Sequence, residues 1–167
     1  MENHTSVDML DTGGAFLVCA IHHWANATRK NIDPFPCLIE GFRAANLLDR
    51  VNPAPLILDD VLSSLAISLN DNPKKLFGSC NSLGQIEELI LIVIALTHSN
   101  ECKLAERLVK NWVPRTTARF IYPNLIDLAT SLESVGLKIN LPSGCLNTIS
   151  YILNKRTVLF SNKYIVN

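Results

Sequence analysis

The sequence predicts an all-α fold: six or seven short helices, arranged as antiparallel hairpins around one buried central helix at 83–98. Three observations carry that expectation. Leu89-Ile90-Leu91-Ile92-Val93-Ile94-Ala95-Leu96 is eight apolar residues without a break, and a helix that is apolar on every side belongs in the interior. Elsewhere apolar residues recur at steps of three and four, the period of an amphipathic helix. Prolines and Asn- or Asp-Pro turns separate those runs at Asp33-Pro34, Asn52-Pro53, Asn72-Pro73, Pro114 and Pro142.

Residues 1–12 read as a flexible polar arm. Gly13 or Gly14 then leads into a mostly buried helix, with Phe16, Ala20, His23 and Ala27 on one face and Leu17, Ile21 and Trp24 beside it. Pro36 suits the first position of a shorter helix through Leu47, with Leu38, Phe42 and Ala45 inward. Ile57, Leu58, Val61, Leu62, Leu65 and Leu69 mark the next helix, with Asp59 and Asp60 early enough to favour its dipole.

The central helix follows a loop containing Gly78. Ser82-Leu83-Gly84-Gln85 fits the capping-box pattern, in which a hydroxyl and an amide satisfy two free backbone donors, and Glu87 and Glu88 stand near the positive end. Burial must hold this helix, because Ile and Val are mediocre helix formers. Ser99 or Asn100 suits the cap of a helix from Glu101 to Val113, with Leu104, Leu108 and Trp112 inward. The short connection predicts an antiparallel hairpin with its predecessor.

Past Pro114, Ile121, Leu125, Leu128, Leu132 and Val135 form one stripe, and Pro123 within it predicts a kink or break near Tyr122. Gly136 is placed to end that helix, with Leu137 making the accompanying apolar contact. Cys145, Leu146, Ile149, Ile152 and Leu153 suit a short helix. Thr157–Phe160 and Lys163–Val166 suggest a small C-terminal β-hairpin. The expected organisation is thus an arm (1–12), a helical domain (13–141) and a C-terminal extension packed on it (142–167).

The pair Gln85 to Val113 resembles a single tetratricopeptide unit, two short antiparallel helices with a proline at the end. The W-x-x-L-G-x-x-Y pattern is missing and no 34-residue period recurs, so the likeness implies only stacked helical hairpins presenting a surface to another protein.

A chain of 167 residues that is 48% hydrophobic and 18% charged has the makings of one folded domain and excludes a disordered chain. The apolar run falls short of the ~20 residues a spanning helix needs. Five cysteines, odd in number and never in a C-x-x-C pair, read as reduced thiols. The polar, acidic start lacks the pattern of a secretory signal. Both point to a cytoplasmic protein, in which the sequons at Asn3 and Asn26 carry no glycan.

No phosphate loop, H-E-x-x-H or G-x-S-x-G occurs. His22 and His23 are neighbours and point apart on a helix, whereas Cys19 and His23, four apart, share a side. Two ligands do not make a zinc site, so neither metal nor other cofactor is expected. Cys80 precedes a helix N-terminus, where a thiol is activated if a base such as His98 or His22 lies near, but no catalytic signature surrounds it. The acid pairs Asp59-Asp60 and Glu87-Glu88 have a sufficient structural role.

Charge is polarised although the net is zero. Residues 1–106 carry seven Lys/Arg against thirteen Asp/Glu, and residues 107–167 carry eight against two. Arg107, Lys110, Arg115 and Arg119 flank Trp112 and form the candidate partner-binding surface, which Lys155 and Arg156 extend if they lie near in space. The expected function is a non-catalytic interaction domain that binds another protein in an adaptor or regulatory role. The alternative is nucleic-acid binding through the basic C-terminal third, against which stands a pI of 6.9.

Overall fold

The structure, a computed structural model, describes residues 9–47, 53–69, 77–78, 82–142 and 144–154. Among them are seven helices and no β-strand: α1 (Thr12–Arg29), α2 (Pro34–Ala44), α3 (Ala54–Leu69), α4 (Gln85–His98), α5 (Cys102–Trp112), α6 (Arg115–Ser134) and α7 (Cys145–Asn154). The all-helical expectation holds. The expected β-hairpin at 157–166 lies outside the described residues.

Helix α4 is enclosed on every side. Ile86, Glu87, every residue from Leu89 to Leu96, and His98 are buried, and six of the eight residues in that run have no exposed surface. Each large aliphatic side chain so buried contributes roughly 1.5–3 kcal/mol, which offsets the poor intrinsic propensity of Ile and Val. Around it, α1 packs on α2, α2 on α3, and α3 along α6, while α4 touches α1, α5 and α6 and α7 lies against α5. A bond of 2.9 Å between the Ser68 and Thr117 hydroxyls joins the end of α3 to the start of α6, so the two run antiparallel.

The apolar stripes account for the burial. Helix α1 buries Leu17, Val18, Ala20, Ile21, Trp24, Ala25 and Ala27 and leaves His23 exposed, so its inner face is centred on Leu17, Ile21 and Trp24 rather than on Phe16 and His23. Helix α3 buries Leu58, Val61, Leu62 and Leu65, and α6 buries Ala118, Ile121, Leu125, Leu128, Ala129 and Leu132.

Several helix boundaries differ from the sequence expectation for identifiable reasons. Helix α2 starts two residues early because the Asp33 carboxylate accepts from Phe35 N–H at 3.0 Å, which makes Pro34 the first helical residue. Helix α4 starts at Gln85 after an N-cap at Gly84, and Glu87, not Gln85, reaches back to the cap amide. Helix α6 runs unbroken through Pro123. That proline is exposed, as is Arg119, so the Arg119 carbonyl deprived of its i+4 donor faces water and the break is avoided. Asp11, expected in the arm, caps α1 by accepting from Gly14 N–H at 2.7 Å. Its other oxygen takes the backbone N–H and side-chain amide of Asn140, at 2.7 and 2.9 Å.

Four helices end in the same way. After α6, Gly136 has φ +81°, its N–H donates to Glu133 C=O at 2.9 Å, and Leu137 N–H donates to Leu132 C=O at 2.9 Å, the paired bonds of a Schellman motif. Asn31, Asn46 and Asn100 hold the equivalent left-handed position after α1, α2 and α4, with φ of 54°, 58° and 62°. Asn100 therefore closes α4 and does not cap α5.

Candidate functional site

Among the described residues two polar side chains are buried, Glu87 and His98, and Glu87 gathers contacts from separate parts of the chain. Its side chain has no exposed surface, yet it is a carboxylate, and an isolated buried charge is costly unless paired and hydrogen-bonded. One oxygen accepts from Gly84 N–H at 2.5 Å and from Gly78 N–H at 2.9 Å. The other lies 2.7 Å from His22 Nε2, an ion-pair distance at which the two atoms are not aligned as a hydrogen bond.

The surrounding elements fix this arrangement. The Trp24 indole N–H donates to Asp59 at 2.7 Å, and the Trp24 and Phe77 rings lie 6.0 Å apart. Phe77 is thereby seated against α1, which delivers the next amide, that of Gly78, to Glu87. A side chain at Gly78 has no room: a Cβ there would lie 1.9 Å from the Ser82 carbonyl oxygen and 2.6 Å from Gly84 N. Asp59 serves the indole, a use that its place in α3 does not reveal. Chemically the cluster is a latch, in which one carboxylate ties α1, Gly78 and the start of α4 together.

The other sequence-level candidates separate. His98 is buried, with Nδ1 accepting from Ile139 N–H at 3.1 Å and Nε2 set 2.9 Å from the Ala129 carbonyl. The neutral tautomer with its proton on Nε2 satisfies both contacts, so His98 clasps α6 and the 139 segment and has no nitrogen left to serve a thiol as base. Cys80 lies outside the described residues. Glu88 accepts from Thr148 Oγ1 at 2.7 Å and tethers α7. Cys19 and His23 are both exposed on α1, and among the described residues no three His, Cys, Asp or Glu side chains gather as a metal site. No described helix is long and apolar enough to cross a membrane.

Arg107, Lys110, Arg115 and Arg119 are all exposed. Arg107 and Lys110 are neighbours on α5, and Arg115 and Arg119 are neighbours on α6. Lys110 pairs with Glu106 at 2.5 Å, whereas Arg107, Arg115 and Arg119 form no ion pair among the described residues. Trp112, which they flank in sequence, is only 4% exposed and belongs to the core, as its inward phase on the helix predicts. The aromatic ring available there is Phe120, next to Arg119 and 50% exposed. Lys155 and Arg156 lie outside the described residues.

The Tyr122 hydroxyl donates to the Cys102 carbonyl at 3.0 Å, which fastens α6 to the start of α5. Burial, with the Cys102 thiol and the Glu106 carboxylate nearby, holds this phenol above the ordinary value of 10.0.

No family model, curated protein or solved structure matches the chain.

Proposed function

We propose that the chain is a non-catalytic helical interaction module, an adaptor or regulatory unit of the cytoplasm, that binds an acidic segment of another protein through Arg107, Lys110, Arg115 and Arg119. In this reading the helices are a scaffold of antiparallel hairpins, with α4 as its fixed centre. One observation carries it: the guanidinium groups of Arg107, Arg115 and Arg119 stand in solvent without an acidic partner among the described residues, and the half-exposed Phe120 follows Arg119 in the same helix. Arginine matches carboxylates with its paired donors, and aromatic and arginine side chains dominate binding energy at interfaces. The Tyr122–Cys102 bond supports the reading by holding the two cationic helices together.

The test is capture of partners from the source cells by the wild-type chain and by an Arg115→Glu/Arg119→Glu variant whose helicity is checked by circular dichroism. The expected result is a protein partner whose capture weakens with salt and is lost in the variant. Equal capture by both chains contradicts the proposal. Binding of RNA or DNA oligonucleotides at low salt, lost in the same variant, replaces it with the nucleic-acid reading.

A further inference from the structure

One acid stands among the cations of the α5–α6 seam. Only Val113 and Pro114 join the two helices, and the Tyr122 hydroxyl donates to the Cys102 carbonyl at 3.0 Å, so α6 runs back along α5 with Tyr122 beside the start of that helix. Side chains three or four apart on a helix are neighbours. Cys102, Glu106 and Lys110 therefore form one row on α5, and Tyr122, Arg119 and Arg115 form one row on α6. Three or four residues advance a helix by about 5–6 Å. Counted from the Tyr122–Cys102 bond toward the corner, Glu106 comes level with Arg119, and Lys110 with Arg115. The Glu106 carboxylate also acts on the Tyr122 phenol, raising it after burial and the Cys102 thiol, which agrees with this placement.

We propose that Glu106 is the resident competitor of the cationic surface: its carboxylate holds Lys110, and an acidic ligand binds by taking its place. This rests on the reading that Arg107, Lys110, Arg115 and Arg119 receive an acidic segment of another protein. Glu106 and Lys110 are 2.5 Å apart and both side chains are in large part exposed. Exposed pairs of this kind are weak, so a ligand carboxylate replaces Glu106 at small cost. The displaced carboxylate stays on the surface and repels the ligand. A single ligand carboxylate thus gains little, whereas a run of acids also reaches Arg107, Arg115 and Arg119, which form no ion pair among the described residues. Glu106 in this way sets a selectivity for acidic runs over isolated acids. The other acids of these helices lie away from the corner: Glu101 precedes α5 at its far end, and Asp127 and Glu133 lie beyond Tyr122 on α6.

The experiment follows binding of a fluorescently labelled oligoglutamate peptide to the full chain by anisotropy, at about 0.15 M salt, where the screening length is about 8 Å. Glu106→Gln should tighten binding by about two- to fivefold, the worth of one exposed pair. Glu133→Gln makes the same change in net charge about 20 Å along α6 from Arg119, beyond that screening length, and should leave the affinity unchanged. Lys110→Gln should weaken binding by less than about twofold in the wild-type chain, where Glu106 already neutralises it, and by about two- to fivefold in Glu106→Gln. Circular dichroism checks that each variant keeps its helicity. Binding by Glu106→Gln no tighter than wild type, or equal effects of Lys110→Gln in both backgrounds, overturns the proposal; loss of binding in Arg115→Glu/Arg119→Glu then still upholds the surface itself. No binding of the peptide by the wild-type chain removes both.

Discussion

Replacing Glu87 with alanine removes the acceptor for two backbone amides at once, those of Gly78 and Gly84, at 2.9 and 2.5 Å. Hydrogen bonds to charged groups are worth about 1.5–3 kcal/mol each. Removing one partner of a buried charged cluster typically costs about 3–5 kcal/mol, and that range, rather than a sum over contacts, is the expected loss. Against a total stability on the order of 5–15 kcal/mol, this is a large fraction. Urea denaturation followed by circular dichroism measures it as a shifted midpoint at unchanged slope. Glu87→Gln should cost less, since its amide oxygen still accepts, and a double-mutant cycle with His22→Ala should give a coupling of about 1 kcal/mol, toward the low end for contacting residues because the pair is poorly aligned. A loss below ~1 kcal/mol for Glu87→Ala would refute the latch.

The remaining expectations concern other contacts. His98→Ala strands Ile139 N–H and Ala129 C=O in the interior and should cost about 2–4 kcal/mol in the same assay, whereas the exposed His23→Ala should stay within ~0.5 kcal/mol. Gly136→Ala should cost about 1 kcal/mol for its φ of +81°, with no steric contribution because nothing lies within 4 Å of the added Cβ; Gly136→Asn should cost less, as asparagine already serves at Asn31, Asn46 and Asn100. Tyr122 is an acid whose neutral form is favoured on folding, so its contribution is fully present below pH 10.0 and is lost as pH rises from there through the folded value. Tyr122→Phe should therefore show a shallower fall in stability above pH 10.0 than wild type, measured as midpoint against pH.

Much of the fold was legible because its signals are local. The run from Leu89 to Leu96 leaves α4 no exposed face on which to lie, and Gly136 followed by Leu137 marks a helix end by chemistry that only a few residues share. Other signals were ambiguous at the level of residue type. Asn100 suits either an N-cap or a left-handed C-terminal position, and the second prevails because Asn100 and Glu101 donate to Thr97 and Leu96 carbonyls. Pro123 predicts a break only when its phase is ignored: read with Arg119 on the exposed side of the stripe, it is tolerated.

The cluster at Glu87 was not legible, and the reason is physical. An acid in a first helical turn has a sufficient explanation in the helix dipole, and nothing local to α4 reveals that a distant loop and His22 converge on it. Gly78 was the available clue, a glycine just ahead of a buried helix, but its need for space is set by the Ser82 carbonyl and the Gly84 amide, which only the folded chain brings near. Trp112 was legible by contrast: it falls in phase with Leu108 and Val109, so its ring joins the core, and the exposed aromatic beside Arg119 is Phe120.

Native-state hydrogen exchange across α4 tests most directly whether the chain is built around that helix. Amides buried at the centre of a cooperative core open only with the whole molecule. The amides from Leu89 to Leu96 should therefore be the slowest in the protein, with an opening free energy equal to the global value from urea denaturation and falling with urea at the global slope. Exchange of those amides by a shallow local opening, faster than that of α3 or α6, would contradict a core organised around α4.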